Sequence, residues 1–159
     1  MSRPSFRLRA LTFGMRWFEK PKLAKRGTPD TANRDFERAA PYLFSVPKGT
    51  VVRDEDPFDC ITCGPEAAGR AILYLHGGAF VTGSRRSYRA MAGRLAKRTG
   101  VCVYLPDYPK LQEATFPAAP RAVLAAWDAL VARGTPPDRI VLDAERIGHG
   151  VHIQGNEDA

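Results

Sequence analysis

At 159 residues, with 44% hydrophobic and 26% charged side chains, the chain falls in the ordinary globular range and can bury the core of one domain. Eight of its 24 Lys and Arg, against one of its 17 Asp and Glu, fall in residues 1–26, so that end carries the whole net charge of +7. The rest of the chain is balanced, which argues against a general nucleic-acid-binding surface. Cys60, Cys63 and Cys102 make no disulfide framework, Arg16 interrupts any signal-peptide core, and no run of 18 apolar residues occurs. A cytoplasmic location is the expectation.

From Ser5 to Lys20 the apolar residues Leu8, Leu11, Met15 and Phe18 recur at steps of three and four, beside a second row of Phe6, Ala10, Phe13 and Trp17. This predicts a helix with a wide apolar stripe and arginines on its other face, suited to covering a core or cleft or to weak contact with an anionic membrane surface. Residues 27–30 read as a break, and Thr31 to Leu43 as a second helix with Phe36 and Tyr42 turned inward. Val51 to Arg53 and Phe58 to Cys63 read as short strands around the acidic turn Asp54 to Pro57. The Cys60-Ile61-Thr62-Cys63 spacing lies in a strand and lacks the partner ligands of a zinc site, so two small strand-end side chains are the expectation.

Ala71 to Leu75 is an apolar strand that breaks at His76 into Gly77 and Gly78, followed at once by Ala79 and Phe80. Such a turn needs glycine where the backbone approaches something closely or takes dihedrals closed to other residues. If the amides of Gly78 and Ala79 face a cleft, they form a pocket for a developing oxyanion. Ser84 or Ser87 caps a helix through Arg98, with Tyr88, Met91, Ala92 and Leu95 inward, and Gly100 ends it. Val101 to Leu105 is a buried strand. A helix from near Pro117 carries Val123, Ala126, Trp127 and Leu130 to Gly134, and Ile140 to Leu142 is a last strand. Alternating strands and helices predict an α/β fold with a mostly parallel sheet and crossover helices.

Four features resemble the hormone-sensitive-lipase-like carboxylesterases of the alpha/beta hydrolase family. His76-Gly77-Gly78-Ala79-Phe80 is similar to the family's His-Gly-Gly-Gly oxyanion motif, with alanine for the third glycine. Asp107-Tyr108, Glu113 and Phe116-Pro117-Ala118-Ala119 follow the family's Asp-Tyr to Pro-Ala-Ala run. Asp138 to Leu142 resembles the strand that delivers the nucleophile, and the basic leader resembles the cap over the acyl pocket. The resemblance covers about residues 1–142. It implies a helical cap over 1–49, a partial hydrolase core over 50–142 and an atypical tail over 143–159. It also implies acyl transfer through a serine ester without cofactor or metal, on a small acyl-ester substrate. Gly77, Gly78 and Ala79 would be the oxyanion hole, with His76 orienting the loop.

The family continues Ala-Gly-Asp-Ser-Ala-Gly-Gly, whereas this chain continues Asp143-Ala144-Glu145-Arg146-Ile147-Gly148-His149-Gly150. Arg146 stands in the nucleophile's place, and a guanidinium stays protonated and cannot attack a carbonyl. The acid and histidine of a triad are also missing. The expectation is an inactive piece of a serine ester hydrolase, cut at its central strand and prone to self-association through an open sheet edge. The alternative is a non-catalytic binding or self-associating remnant. The tail Ala144 to Val151 resembles a strand-end motif of the adenosine deaminase family, which implies for His149 a role in activating zinc-bound water. Zinc hydrolysis takes about three protein ligands and an open position, and His149 with His152 supply two. A piece of such a deaminase is therefore a remote alternative, and a join to foreign sequence after Leu142 a closer one.

Overall fold

The computed structural model describes residues 28–144, except 66 and 68. The expected helix over 5–20, Arg146, His149, His152 and the rest of the tail from 145 lie outside the described residues. The chain runs α1 (Pro29–Leu43), β1 (Thr50–Glu55), β2 (Phe58–Cys63), β3 (Ala71–Leu75), α2 (Arg85–Thr99), β4 (Cys102–Pro106), α3 (Ala118–Ala132) and β5 (Ile140–Ala144). A short 3₁₀ turn, Pro137–Arg139, leads into β5.

These strands form one sheet in the order β1-β2-β4-β3-β5. The expected parallel arrangement holds for β4, β3 and β5, and β1 and β2 join antiparallel. α2 covers one face, where Ala92 and Ala96 pack on Ile61, Ile72, Tyr74, Val103 and Leu105. On the other face Ala126 and Leu130 of α3 pack on Phe58, Ala71, Leu73 and Ile140. β2 and β3 lie between the two layers, which explains why β3 reads as an unbroken apolar run, while β2 buries Asp59 and Thr62 among its apolar residues.

Residues 27–30, read as a break, instead include the start of α1. Thr28 caps it by accepting the Thr31 amide at 3.4 Å, and Pro29 occupies the first turn, where its missing N–H costs nothing. Tyr42, expected inward, is 92% exposed, and Met91 is 45% exposed. Tyr42 lies near the end of α1, beyond its buried residue Ala40, whereas Met91 is in the middle of α2 and faces Phe36 and Phe44 rather than the sheet. α2 approaches the sheet so closely that its buried positions are the small ones, Ser87, Ala90, Ala92, Gly93 and Ala96. Gly100 ends α2 in the left-handed conformation, φ 68, as its position predicts.

Candidate active site

At the C-terminal end of β3, His76 to Phe80 form a turn under tight steric control. Gly78 has φ +114, and a Cβ there would lie 2.0 Å from the Thr82 carbonyl oxygen. Ala79 and Phe80 follow with φ 55 and 58, a region that residues with side chains rarely hold. The surrounding hydrogen bonds enforce it. The amides of Val81 and Thr82 both donate to the Gly78 carbonyl, at 2.9 and 3.0 Å, and the Leu111 amide donates to the Phe80 carbonyl at 2.8 Å. Among the described residues, the amides of Gly78 and Ala79 donate to no backbone carbonyl.

His76 is buried between two rings, Tyr108 at 4.3 Å and 12° and Tyr88 at 5.2 Å and 25°. Its Nδ1 lies 2.9 Å from the Gly77 carbonyl oxygen, which can only accept, so the contact assigns a proton to Nδ1. The Tyr108 hydroxyl donates to the His76 carbonyl oxygen and lies 3.2 Å from Nδ1. His76 is therefore fixed through both its ring and its backbone, and the turn that follows inherits that orientation.

Asp107, directly after β4, brings Oδ1 to 3.7 Å from His76 Nε2, beyond hydrogen-bond length. Burial pushes the Asp107 carboxyl up, but His76, Lys110 and Arg85 outweigh it and hold the group below its ordinary range. Arg85, the first residue of α2, spans three acids: Asp54 at 3.1 Å, the buried Asp59 at 3.5 Å and Asp107 at 3.9 Å. Arg89 completes the pairing of Asp59 at 2.6 Å. Such charge networks hold the β1–β2 hairpin, the start of α2 and the end of β4 in one arrangement.

α1 is bonded to the same region. Asn33 Oδ1 accepts the Gly83 amide at 3.0 Å, and the Glu37 carboxylate accepts the hydroxyls of Ser84 and Ser87, each at 2.8 Å. Of the two serines offered as caps, Ser84 is the N-cap and Ser87 completes the capping box of α2, so neither hydroxyl is set up as a nucleophile. Between α1 and α2 lies a cleft of about 210 Å³ lined by Phe36, Phe44, Ser87, Tyr88, Met91 and Arg94. Tyr88 therefore has one side toward this cleft and stacks on His76 as well.

Residues 72–148 match the family model for the alpha/beta hydrolase fold. The chain has the alpha/beta hydrolase fold. An acetyl-hydrolase from Streptomyces hygroscopicus is 36% identical over 85 residues, which are 54% of this chain and 28% of that enzyme. The crystal structure of an esterase from the bacterial hormone-sensitive lipase family superposes with a TM-score of 0.69 at 29% identity, covering 75% of this chain and 41% of that one. The chain thus spans less than half the length of either relative. An adenosine deaminase from Vibrio atlanticus (strain LGP32) gives a minor match, 38% identical over 63 residues and 18% of that enzyme.

Of the site residues expected from the sequence, His76, Gly77, Gly78 and Ala79 come together in one turn, and Arg146 lies outside the described residues. Among the described residues no cluster of three or more His, Cys, Asp or Glu could hold a metal. Likewise no helix among them is long and apolar enough to cross a membrane. The sequence reading quoted Asp107 and Tyr108 as parts of a motif but missed that both address His76. Their position just after a buried strand was the available signal. The contributions of Asn33, Glu37 and Arg85 had no signal in sequence, because each depends on which helix ends meet.

Proposed function

We propose that His76 to Phe80, with Tyr108 behind them, form the oxyanion side of a carboxylic-ester hydrolase site of the acyl-transfer type. In such chemistry a nucleophile adds to the ester carbonyl, and the oxygen takes up the negative charge as the tetrahedral intermediate forms. Amides already aimed at that oxygen stabilise the charge without reorganising, at about 3 to 4 kcal/mol per donor. Gly78 and Ala79 are the donors, and Tyr108 and Asp107 are positioning residues acting through His76. A small acyl ester is the substrate class, in line with the acetyl-hydrolase among the relatives.

The observation that carries this reading is the parallel register of β3 and β5. Leu75 lies opposite Ala144, so the chain leaves β5 beside the point where the His76 turn begins. That is the geometry in which a nucleophile carried after β5 would face the amides. Here the residue in its place is Arg146, and this 159-residue chain therefore does not turn over esters by itself. Purified protein incubated with p-nitrophenyl butyrate should release nitrophenol no faster than buffer. Clear turnover that a serine-directed phosphonate abolishes would overturn the inactivity assigned from Arg146. A second reading rests on β5, whose Val141 and Leu142 are 60% and 40% exposed at the sheet edge: a second copy of the chain pairs there.

A further inference from the structure

The sequence reading treated Cys60 and Cys63 as the cysteines to compare, but the strand arrangement pairs Cys60 differently. β2 and β4 are antiparallel with Cys60 opposite Tyr104, so Cys102, two residues before Tyr104, shares its face of the sheet. Cys60 and Cys102 are both buried, and their Sγ atoms are 2.6 Å apart. Cys63 is three residues from Cys60, so its side chain emerges on the opposite face, where its Sγ reaches the Lys48 carbonyl oxygen at 3.7 Å. On the outer side of the pair, Arg53 stands opposite Cys60 in the β1–β2 register and brings Nη2 to 3.1 Å from Cys60 Sγ. Arg53 is in turn held by Glu55 at 3.0 Å, and its side chain is half exposed. The site thus comprises two adjacent thiols and a guanidinium that reaches from solvent to one of them.

We propose that Cys60 and Cys102 are an oxidative modification site, a thiol pair that a peroxide converts to a disulfide joining β2 to β4. The Cys60 thiolate attacks one peroxide oxygen, forming an S–O bond as the O–O bond breaks and hydroxide leaves to take a proton. The Cys102 sulfur, losing its proton, then attacks the Cys60 sulfenic acid, and the S–O bond breaks with release of water. Two thiols have lost two electrons and two protons, and hydrogen peroxide has become two waters. The sulfurs close from 2.6 Å to the bonded distance of about 2.05 Å.

The surroundings select Cys60 as the attacking thiol. The hydrogen bond from Cys102 lowers it most, burial opposes, and the charge and hydrogen bond of Arg53 lower it further, to about 7. The other groups facing it are Glu55 on β1, which raises it, and Tyr104 on β4; Arg133, just after α3, engages Glu55. The Tyr104 phenol is itself pushed well above its ordinary value, by burial first and then by the two thiols, and so remains neutral beside them. A thiol near this value is about half thiolate at neutral pH and still strongly nucleophilic.

The test uses the reduced full chain, treated with hydrogen peroxide, alkylated, and digested with trypsin without reductant. The expected product joins peptide 54–70 to peptide 99–110 through Cys60, with Cys63 carrying the alkyl group and the intact chain lighter by two hydrogens. Cys63→Ala should form the same link. Cys102→Ser should form none, and should leave Cys60 as a sulfenic acid that dimedone captures. Arg53→Met, checked for an unchanged thermal transition, should move the midpoint of the pH profile of Cys60 oxidation upward and slow the reaction several-fold at neutral pH. Recovery of both Cys60 and Cys102 as alkylated thiols after peroxide, a link through Cys63, or a link only between two chains would overturn the proposal.

Discussion

β3 and β5 are parallel neighbours of equal length and similar sequence, AILYL and IVLDA, with opposite surroundings. β3 has a strand on each side and a helix layer on each face, and Ala71 to Tyr74 are buried. Among the described residues β5 has one neighbouring strand, β3, and of its five residues only Ile140 is buried. Apolar content is therefore a poor guide to how firmly a strand is held. The number of covered faces decides it, since burial stabilises only where water is displaced. The same difference divides the proposed site. The part attached to β3 is fixed by two ring stacks, several hydrogen bonds and steric exclusion, whereas the part expected after β5 follows a strand packed at one end.

Substitution on the two strands tests the contrast most strongly. Leu73→Ala removes a side chain enclosed by Phe58, Ala126, Leu130 and Ile140, and should cost about 2 to 5 kcal/mol in urea unfolding. Val141→Lys, at a 60% exposed position, should change stability by about 0.5 kcal/mol or less. If a second copy pairs at β5, the same variant should shift sedimentation from dimer to monomer. Equal costs at the two positions would show that β5 is covered after all.

Within the β3 half, Gly78→Ala sharpens the contrast by asking whether the turn is fixed by sterics. The added Cβ would meet the Thr82 carbonyl at a backbone angle that alanine avoids, and the loss should be about 2 to 4 kcal/mol. A near-neutral Gly78→Ala would mean the turn relaxes and its amides are not held in place.

The smallest effect concerns pH. Asp107 has a carboxyl held below its ordinary value, so it contributes stability above its unfolded-state pKa of about 4 and loses that contribution as pH falls through the lower folded-state value. Its side chain is 42% exposed, which limits the effect to below about 1 kcal/mol. Asp107→Asn should be less stable than the parent at pH 7, and the two thermal transitions should converge as the pH falls below about 4. A constant difference across that range would remove the carboxylate from the account.

The strands and helices were legible because each carries a periodic signal: the runs of β2 and β3, the Ser84 cap, and glycine at 100. What a residue packs against was not. Tyr42 and Met91 follow the helical period, yet neither is buried: Tyr42 lies beyond Ala40, the buried residue of α1, and Met91 lines the cleft between α1 and α2. The Cys60–Cys102 contact depends on β4 lying beside β2, a crossover that local pattern does not encode. His76 was read as a loop-orienting residue from its place in a motif. The rings that stack on it, Tyr108 and Tyr88, come from two other elements and appear only when these converge.

The clash at Gly78 also separates the history of the motif from its use. A Cβ there is forbidden by a carbonyl of the same turn, and one at Gly83 would press on Tyr88, the Gly77 carbonyl and His76 at 3.0 to 3.1 Å. Selection for folding alone would therefore keep both glycines, whether or not any ester ever reached the site. A descendant that had lost its nucleophile would preserve the oxyanion turn as faithfully as a working enzyme, and the turn is better evidence of ancestry than of catalysis.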